Sequence, residues 1–238
     1  MPDPKYRRIL LKLSGEILAG KSGFGIDPKQ AVRLAEEIHS VYELGVKISL
    51  VVGAGNIIRG LKAAEQGMDR VTGDYLGMMA TVMNSIALQD ALESSGCDTR
   101  TLTAITIAQV AEPYIRRRAL RHLDKDRIVL VAGGTGNPYF STDTAAALRA
   151  IELGMEIFIK GTKVDGVYDK DPVKNPDAVK YDEISFKDAI QKKLGVMDQT
   201  AFTMCSENHL PIRVFNINKP GYLKDLVMGS NIGTILTE

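Results

Sequence analysis

Three short segments that contain glycine, with basic or hydroxyl residues beside it, each follow or end an apolar stretch of the chain. The first is Lys12-Leu13-Ser14-Gly15-Glu16, which begins inside the apolar run RILLKL. A lysine among apolar strand residues is costly to bury unless an anion meets it. We therefore interpret Lys12 as a candidate phosphate ligand. The alternative is a lysine on an edge strand that reaches solvent.

The second segment, residues 53–60, has the sequence GAGNIIRG and follows the apolar run KISLVV. Small residues let the backbone approach a ligand closely, and a helix that starts after them would direct its amides at a phosphate. Arg59 could then hold the phosphate with two parallel hydrogen bonds. The alternative is a tight strand-to-helix turn that needs glycine only for its geometry.

The third segment, residues 133–144, reads GGTGNPYFSTDT and lies between RIVLV and the helical pattern TAAALRAIELG. Thr142 or Asp143 stands where helix N-caps occur, so a capped helix start would explain part of it. Twelve residues exceed what a turn needs. Threonine, asparagine and backbone groups can read the edge of a base, and Tyr139 or Phe140 can form a wall beside it. The segment therefore predicts a nucleotide site.

Transfer of a phosphoryl group between nucleotides brings together phosphates that repel each other, so it depends on positioning and positive charge. Lys12 and Lys160 each end an apolar strand pattern and suit this need, and Asp143 and Asp198 could orient them. The sequence offers no Ser-His-Asp arrangement and no metal-ligand spacing. Its three histidines are scattered, and each is expected on the surface or in packing.

Residues 15–22, GEILAGKS, match the P-loop pattern G-x-x-x-x-G-K-S. That site requires the Lys-Ser pair to open a helix whose N-terminus holds the phosphates. Here GFGIDP follows Ser22, and its two glycines and proline prevent a helix from starting there. We therefore reject the P-loop and expect a mobile surface loop, with the helix beginning at Asp27.

The hydrophobic pattern alternates strands and helices along most of the chain. We predict strands over 8–13, 47–52, 99–103, 127–131 and 156–160, and two more in IRVFNI and TILTE. Helices are predicted after Asp27 and over 74–94, 114–123 and 142–153, and residues 165–182 are predicted as a polar loop. Apolar strands separated by helices indicate an α/β fold, with a mostly parallel central sheet covered by helices on both faces.

Composition limits the classes of function. The 238 residues carry 30 Lys and Arg against 29 Asp and Glu, a net charge of +1, which argues against a nucleic-acid partner. No run approaches the length of a membrane span, and the charged start is followed by too short an apolar stretch for a signal peptide. Cys97 and Cys205 are expected to be free thiols. We expect a soluble, cytoplasmic protein.

The motifs together resemble those of the bacterial UMP kinases, within the amino-acid kinase family. They are KLSGE, GAGNxxRG, GTGNPYFSTDTAA, KGTKVDGVYDKDP, and LPIRVFN followed by NKPG, and they run in register from Tyr6 to Glu238. The resemblance implies one domain over 1–238 with the three-layer α/β/α fold of that family. An N-lobe of about 1–155 would bind UMP, and a C-lobe of about 156–238 would bind ATP.

The resemblance also implies roles for particular residues. Those expected to bind ATP are Lys12, Leu13, Ser14, Gly15, Gly55, Arg59, Thr162, Tyr168 and Asp171, the last three around the adenosine. Those expected to bind UMP are Ala54, Asp74, Thr135, Gly136, Asn137, Pro138, Tyr139, Phe140, Ser141 and Thr142, with Asp74 accepting from the ribose. Those expected to be catalytic are Lys12, Arg59, Asp143, Lys160 and Asp198.

The implied reaction is direct phosphoryl transfer from Mg-ATP to UMP, giving UDP for de novo pyrimidine biosynthesis. Mg²⁺ would be held mainly by the nucleotide phosphates, without a metal site of the protein's own. The family forms homohexamers, is inhibited by UTP and in many members is activated by GTP. The loop implicated in the GTP effect corresponds to Gly20, Lys21, Ser22, Gly23, Phe24 and Gly25.

The sequence departs from the family pattern at two places. Position 54 is Ala where Gly is usual, and Tyr139-Phe140-Ser141 replaces Phe-Phe-Thr. We expect these changes to alter affinity only slightly. Two other functions stay open: a sister kinase that phosphorylates a carboxylate or carbamate, and a nucleotide-sensing regulator without activity.

Overall fold

The fold was analysed in a computed structural model, in which residues 3–60 and 65–238 are described. The strands are β1 (Arg8–Leu13), β2 (Lys47–Val52), β3 (Thr99–Thr103), β4 (Glu112–Pro113), β5 (Ile128–Ala132), β6 (Ile157–Thr162), β7 (Val167–Tyr168), β8 (Lys180–Tyr181), β9 (Glu183–Ser185), β10 (Ile212–Asn216) and β11 (Thr234–Thr237). The α-helices of the described residues that bear on the site and the core are α1 (Pro28–Tyr42), α2 (Arg70–Ser94), α3 (Arg116–Asp124), α4 (Thr142–Glu152), α5 (Phe186–Gln191), α6 (Gln199–Glu207) and α7 (Tyr222–Val227).

Nine of these strands form one sheet in the order β4-β3-β5-β2-β1-β6-β10-β11-β9. Every neighbouring pair is parallel except β10 and β11, which are antiparallel. The central strands are mostly apolar, as expected for a sheet with helices packed on both faces. The predicted α/β class with a mostly parallel central sheet is confirmed.

Alternation along β1 assigns its side chains to the two faces of the sheet. Ile9, Leu11 and Leu13 belong to the core shared with α1, α2 and α7, and Leu10 belongs to the core shared with α3, α4, α5 and α6. Lys12 is two residues from Leu10, so it lies on the same face as that residue. The strand period therefore directs the Lys12 side chain toward the N-terminus of α4.

The structure differs from the sequence prediction at three places. The long helix α2 begins at Arg70, where Asp69 caps it, and not at Asp74. The helix predicted from residue 114 begins at Arg116. Residues 165–182 were predicted as a loop but contain a two-stranded antiparallel ribbon, β7 with β8. These strands have two residues each, which is too short for a periodic signal.

The segment that matched the P-loop pattern does not open an α-helix at its Lys-Ser pair. Short 3₁₀ turns occupy Gly15–Ile17 and Gly20–Ser22, and α1 begins at Pro28 after the Asp27 cap. The rejection of the P-loop is therefore confirmed. Within residues 3–60 and 65–238, no helix has both the length and the apolar character needed to cross a membrane.

Candidate active site

Two lysines lie side by side at the centre of the sheet. Lys12 near the end of β1 is in register with Lys160 of β6. Asp143, in the first turn of α4, bridges them, with one carboxylate oxygen 2.7 Å from Lys12 Nζ and the other 2.6 Å from Lys160 Nζ. Lys160 also donates to the carbonyl of Val196. All three charged side chains are largely buried, so the cluster carries a net positive charge in a poorly solvated place.

Burial and the charge of the ion-pair partner shift the pKa values of Asp143 and Lys160 in opposite directions. Burial alone raises the pKa of Asp143, but the two adjacent lysines lower it by more, and the carboxyl pKa lies below its usual value. Burial lowers the pKa of Lys160, and Lys12 adds to that effect while Asp143 opposes it. Asp143 is therefore ionised at neutral pH, and it keeps two lysines of like charge together.

A cavity of about 460 Å³ opens on the Lys12 side of this cluster. It brings together four chain segments: the turn after β1, the turn after β2, the first half of α2 and the segment before α4. The predicted site residues that line it are Lys12, Ser14, Gly15, Ala54, Gly55, Arg59, Asp74, Asn137, Tyr139, Phe140, Ser141, Thr142 and Asp143. The N-terminus of α4, capped by Ser141, lies at the same space, and its positive end favours an anion there.

Asp74 lies in the first turns of α2 and is held by two donors. One carboxylate oxygen accepts from the Tyr139 backbone N–H at 2.8 Å and from Arg70 Nε at 2.8 Å. Arg70 also lies over the Tyr139 ring, with 5.3 Å from its guanidinium carbon to the ring centroid. Tyr139 has a positive φ of 71°, which is unusual outside glycine, so Asp74 holds this backbone in a strained conformation.

Arg59 lines the cavity, but its guanidinium forms an ion pair with Glu16. The other Glu16 oxygen lies 3.1 Å from Lys163 Nζ, just beyond the end of β6. The Glu16 carboxylate thus pairs with Arg59 from the turn after β2 and with Lys163 from the segment after β6. These three side chains are at least 30% exposed, so solvent screens their attraction and they can exchange partners with an incoming phosphate.

A second cavity, of about 490 Å³, lies on the Lys160 side. Thr162, Tyr168 and Asp171, which were predicted around an adenosine, all line it. Val196, whose carbonyl accepts from Lys160, lines it too. The bridged lysines therefore stand between two cavities. The residues predicted around the adenosine line the second, whereas Ser14, Gly15, Gly55 and Arg59, predicted to bind the ATP phosphates, line the first together with the predicted UMP residues.

The structure corrects the expectation that Asp198 orients the lysines. Its carboxylate accepts from the hydroxyls of Ser141 and Thr144 and from the Ala201 backbone N–H, and it caps α6. Among the described residues, Asp143 is the only carboxylate that forms an ion pair with Lys12 or Lys160. Asp198 therefore joins the start of α4 to the start of α6 and acts on the site through those helices.

Some predicted residues are not on a cavity surface. Thr135, Gly136 and Pro138 are absent from the lining of the first cavity, and Leu13 is fully buried in the core. Lys160 lines neither cavity. It contacts Asp143, which lines the first cavity, and the carbonyl of Val196, which lines the second. Of the predicted regulatory loop, Gly20, Gly23 and Phe24 line a separate depression that also contains Glu16, Arg59 and Lys163.

Several residues that shape the site were not predicted from the sequence. Arg70, Met78 and Thr81 line the first cavity from α2, and Asn84 of the same helix contacts the turn after β2. The spacing of Arg70 and Asp74, four residues apart, is a recognisable helical ion pair. Nothing in the pattern distinguished the other three from core residues.

Comparison with known proteins identifies the family. A profile of the amino acid kinase family matches residues 7–216. The fold is similar to a UMP kinase from Bacillus anthracis, with 39% identity, 98% of this chain and 96% of that chain covered and a TM-score of 0.94. It is similar to a UMP kinase from Ureaplasma parvum, with 38% identity, 98% and 100% covered and a TM-score of 0.92.

A third similar structure is a uridylate kinase from Archaeoglobus fulgidus, with 28% identity, 96% of this chain and 99% of that chain covered and a TM-score of 0.75. The family match covers most of the chain, and the two bacterial relatives exceed 30% identity over nearly its whole length. The chain therefore belongs to the amino acid kinase family.

Proposed function

We propose that the protein is a UMP kinase that transfers the γ-phosphoryl group of ATP directly to UMP, giving UDP and ADP. The observation that carries this proposal is the pair Lys12 and Lys160, joined by Asp143 between two cavities. Two bound phosphates meeting at such a position would share its positive charge. The similarity to UMP kinases supports uridylate as the acceptor.

UMP would occupy the cavity of the N-lobe. Asp74 has one carboxylate oxygen not engaged by Arg70 or Tyr139, and it is a suitable acceptor for a ribose hydroxyl. Asn137 would read the base and Phe140 would lie beside it, since both line this cavity. Arg59 and Gly55 line the same cavity, so we expect them where the two sets of phosphates approach each other.

ATP would occupy the cavity of the C-lobe. Thr162, Tyr168 and Asp171 would surround the adenosine, and the triphosphate would extend past Lys160 toward Lys12. A phosphate oxygen of UMP attacks the γ-phosphorus as the bond to the β-γ bridging oxygen breaks, and that oxygen leaves on ADP. The lysines stabilise the charge on the transferring group, which requires positioning and electrostatics without a covalent enzyme intermediate.

Magnesium would come with the nucleotide. Within the described residues no group of three or more His, Cys, Asp or Glu could hold a metal ion, and Asp143 is already held by two lysines. These residues do not fit a metal site built by the protein, and no step of the mechanism is assigned to one. Phosphate oxygens are the expected ligands.

The family resemblance supports further proposals. We expect a cytoplasmic homohexamer, inhibition by UTP and activation by GTP acting through the Gly20–Gly25 loop. Assembly has support from an exposed apolar stripe on α2, formed by Tyr75, Met79, Met83 and Ile86, each at least 37% exposed. Cys97 and Cys205 are free and buried, which suits a reducing compartment.

The test is an assay of ADP release with ATP and Mg²⁺, run in parallel with UMP, CMP, glutamate, aspartate, acetylglutamate and carbamate. Release with UMP alone supports the proposal. Release with an amino acid or carbamate and not with UMP would indicate a sister kinase. Release with none of them, together with tight UTP binding, would indicate a nucleotide-sensing regulator.

A further inference from the structure

Two asparagine side chains form a buried pair behind the turn that follows β2. Asn56 lies in that turn, and Asn84 lies on α2; they are 1% and 0% exposed. Asn84 Nδ2 donates to Asn56 Oδ1 at 2.8 Å, and Asn56 Nδ2 donates to Asn84 Oδ1 at 2.9 Å. Reciprocal bonding of this kind uses one donor and one acceptor of each amide.

The second N–H of each amide donates to a backbone carbonyl. Asn84 Nδ2 donates to the Gly53 carbonyl at 2.7 Å, and Asn56 Nδ2 donates to the Gly25 carbonyl at 2.7 Å. The Gly25 N–H in turn donates to the Asn56 backbone carbonyl at 2.8 Å. Because a backbone carbonyl accepts at each end of this series of hydrogen bonds, the positions of the oxygen and the nitrogen in both side-chain amides are determined.

The bond to Gly53 fixes the direction of a neighbouring N–H group. In a trans peptide the carbonyl and the following N–H point in opposite directions. The Gly53 carbonyl points into the interior at Asn84, so the Ala54 N–H points away from it, and Ala54 lines the first cavity. No acceptor within the described residues receives the Ala54 N–H, which leaves it available to an anion.

The glycine of the KLSGE motif packs directly against this arrangement. A Cβ at Gly15 would stand 2.3 Å from the Gly53 carbonyl oxygen and 2.4 Å from Asn56 Oδ1. Both distances are well below van der Waals contact. The turn after β1 can therefore approach the turn after β2 only because residue 15 has no side chain, and the amide pair determines where the two turns meet.

We propose that Asn84, acting through Asn56, is a positioning residue for phosphoryl transfer. It holds the Gly53–Arg59 turn so that the Ala54 N–H faces the phosphates, and it joins this turn to the end of the Gly20–Gly25 loop. The two segments then move as one unit. This inference rests on the proposed function for its kinetic consequences, whereas the hydrogen-bonded linkage stands on the contacts alone.

The test compares Asn84→Asp with Ser85→Ala. Ser85 is the next residue of α2, is 0% exposed, and has a hydroxyl without a partner in the described structure, so it is a matched control. In Asn84→Asp an ionised oxygen would face the Gly53 carbonyl and repel it. A protonated carboxyl could donate to that carbonyl again, and burial raises the pKa of such a group.

We expect Asn84→Asp to lower kcat at saturating UMP and ATP by about 10- to 100-fold at pH 8, because the turn is displaced. Its activity relative to wild type should recover as the pH falls from 8 to 6 while far-UV circular dichroism shows the variant equally folded at both pH values, a combination that a mere loss of fold would not produce. Ser85→Ala should match wild type throughout. An Asn84→Asp enzyme with the kcat and pH profile of the control would overturn the proposal.

Hydrogen exchange tests the linkage separately from activity. In wild type the Gly25 amide should be protected, and Asn84→Asp should speed its exchange at least tenfold at pH 8 while peptides from α4 stay unchanged. If wild type does not phosphorylate UMP but this change occurs, the proposed function fails and the linkage holds. If wild type is active and Gly25 exchange is unaffected, the linkage is wrong.

Discussion

Lys12 and Lys160 are register partners on adjacent parallel strands, and a single carboxylate, that of Asp143, contacts both. Two neighbouring lysines in a buried place would repel each other without a shared anion. Asp143 offsets that repulsion but leaves one positive charge uncompensated. A transferring phosphoryl group would meet the remaining charge, and this relationship leads to the first three predictions.

Lys12→Ala should lower kcat by a factor on the order of 10² or more, because Lys12 would stabilise the transferring phosphoryl group. Steady-state kinetics at saturating UMP and ATP measure it. The matched control is Lys21→Ala, since Lys21 belongs to the rejected P-loop pattern and lies in an exposed 3₁₀ turn. An equal loss in both variants, or a loss in Lys21→Ala alone, would restore the P-loop interpretation.

Asp143→Asn should move the alkaline limit of activity to lower pH. The pKa of Lys160 already lies below its ordinary value of 10.5, and the Asp143 charge raises it. Without that charge the Lys160 pKa falls further, so the charged form needed for transfer is lost earlier as the pH rises. The pH profile of kcat measures this effect. A profile that keeps the wild-type alkaline limit would contradict it.

The same substitution should change acid stability. The folded-state pKa of Asp143 is lowered, so its ionisation contributes stability above the unfolded-state value of 3.8, and this contribution is lost as the pH falls through the folded-state value. We expect the free energy of unfolding of Asp143→Asn to depend less on pH in the acid range than that of wild type. Urea titrations at several pH values test this, and parallel curves would refute it.

Asp74→Ala should raise KM for UMP far more than KM for ATP. The substitution removes the expected ribose acceptor and also frees the Tyr139 backbone N–H, and both effects concern the first cavity. Arg70→Ala is a useful companion, because it removes a partner of Asp74 but leaves its carboxylate. Equal increases in both KM values for Asp74→Ala would undo the assignment of UMP to this cavity.

Asp171→Ala should have the opposite selectivity and raise KM for ATP with little change in KM for UMP. Asp171 lines the second cavity, whereas Asp177 of the same polar segment is exposed and does not. Asp177→Ala is therefore the control and should behave as wild type. An Asp171→Ala enzyme that is impaired only toward UMP would mean that the two nucleotides occupy the opposite cavities.

Met83→Lys should weaken the proposed hexamer. Met83 is 54% exposed and lies in the middle of the apolar stripe on α2, so a charge there would be buried in an interface formed by this face. Mass measurement at micromolar concentration should show a hexamer for wild type and smaller species for the variant. A monomeric wild type would contradict the assembly itself, and a hexameric variant would contradict this interface.

The hydrophobic pattern of the chain was enough to predict the sheet and the direction of most of its strands. Apolar runs such as RILLKL and KISLVV, separated by capped helices, specify parallel strands covered on both faces, because period and burial are local properties of the chain. The same reasoning identified the glycine-rich turns and the lysine in β1. It also rejected the P-loop match, because the residues after Ser22 exclude a helix there.

The contacts between these residues arise from the three-dimensional arrangement of the elements and could not be predicted from the pattern. The contact of Lys12 with Lys160 depends on β1 and β6 becoming neighbours across 148 residues of sequence, and Asp143 reaches both because α4 starts at the same edge of the sheet. Asp198 and Asn84 acquire their roles the same way. Their partners are hydroxyls and backbone carbonyls distant along the chain, and hydrogen bonds of that kind leave no periodic signal in a sequence.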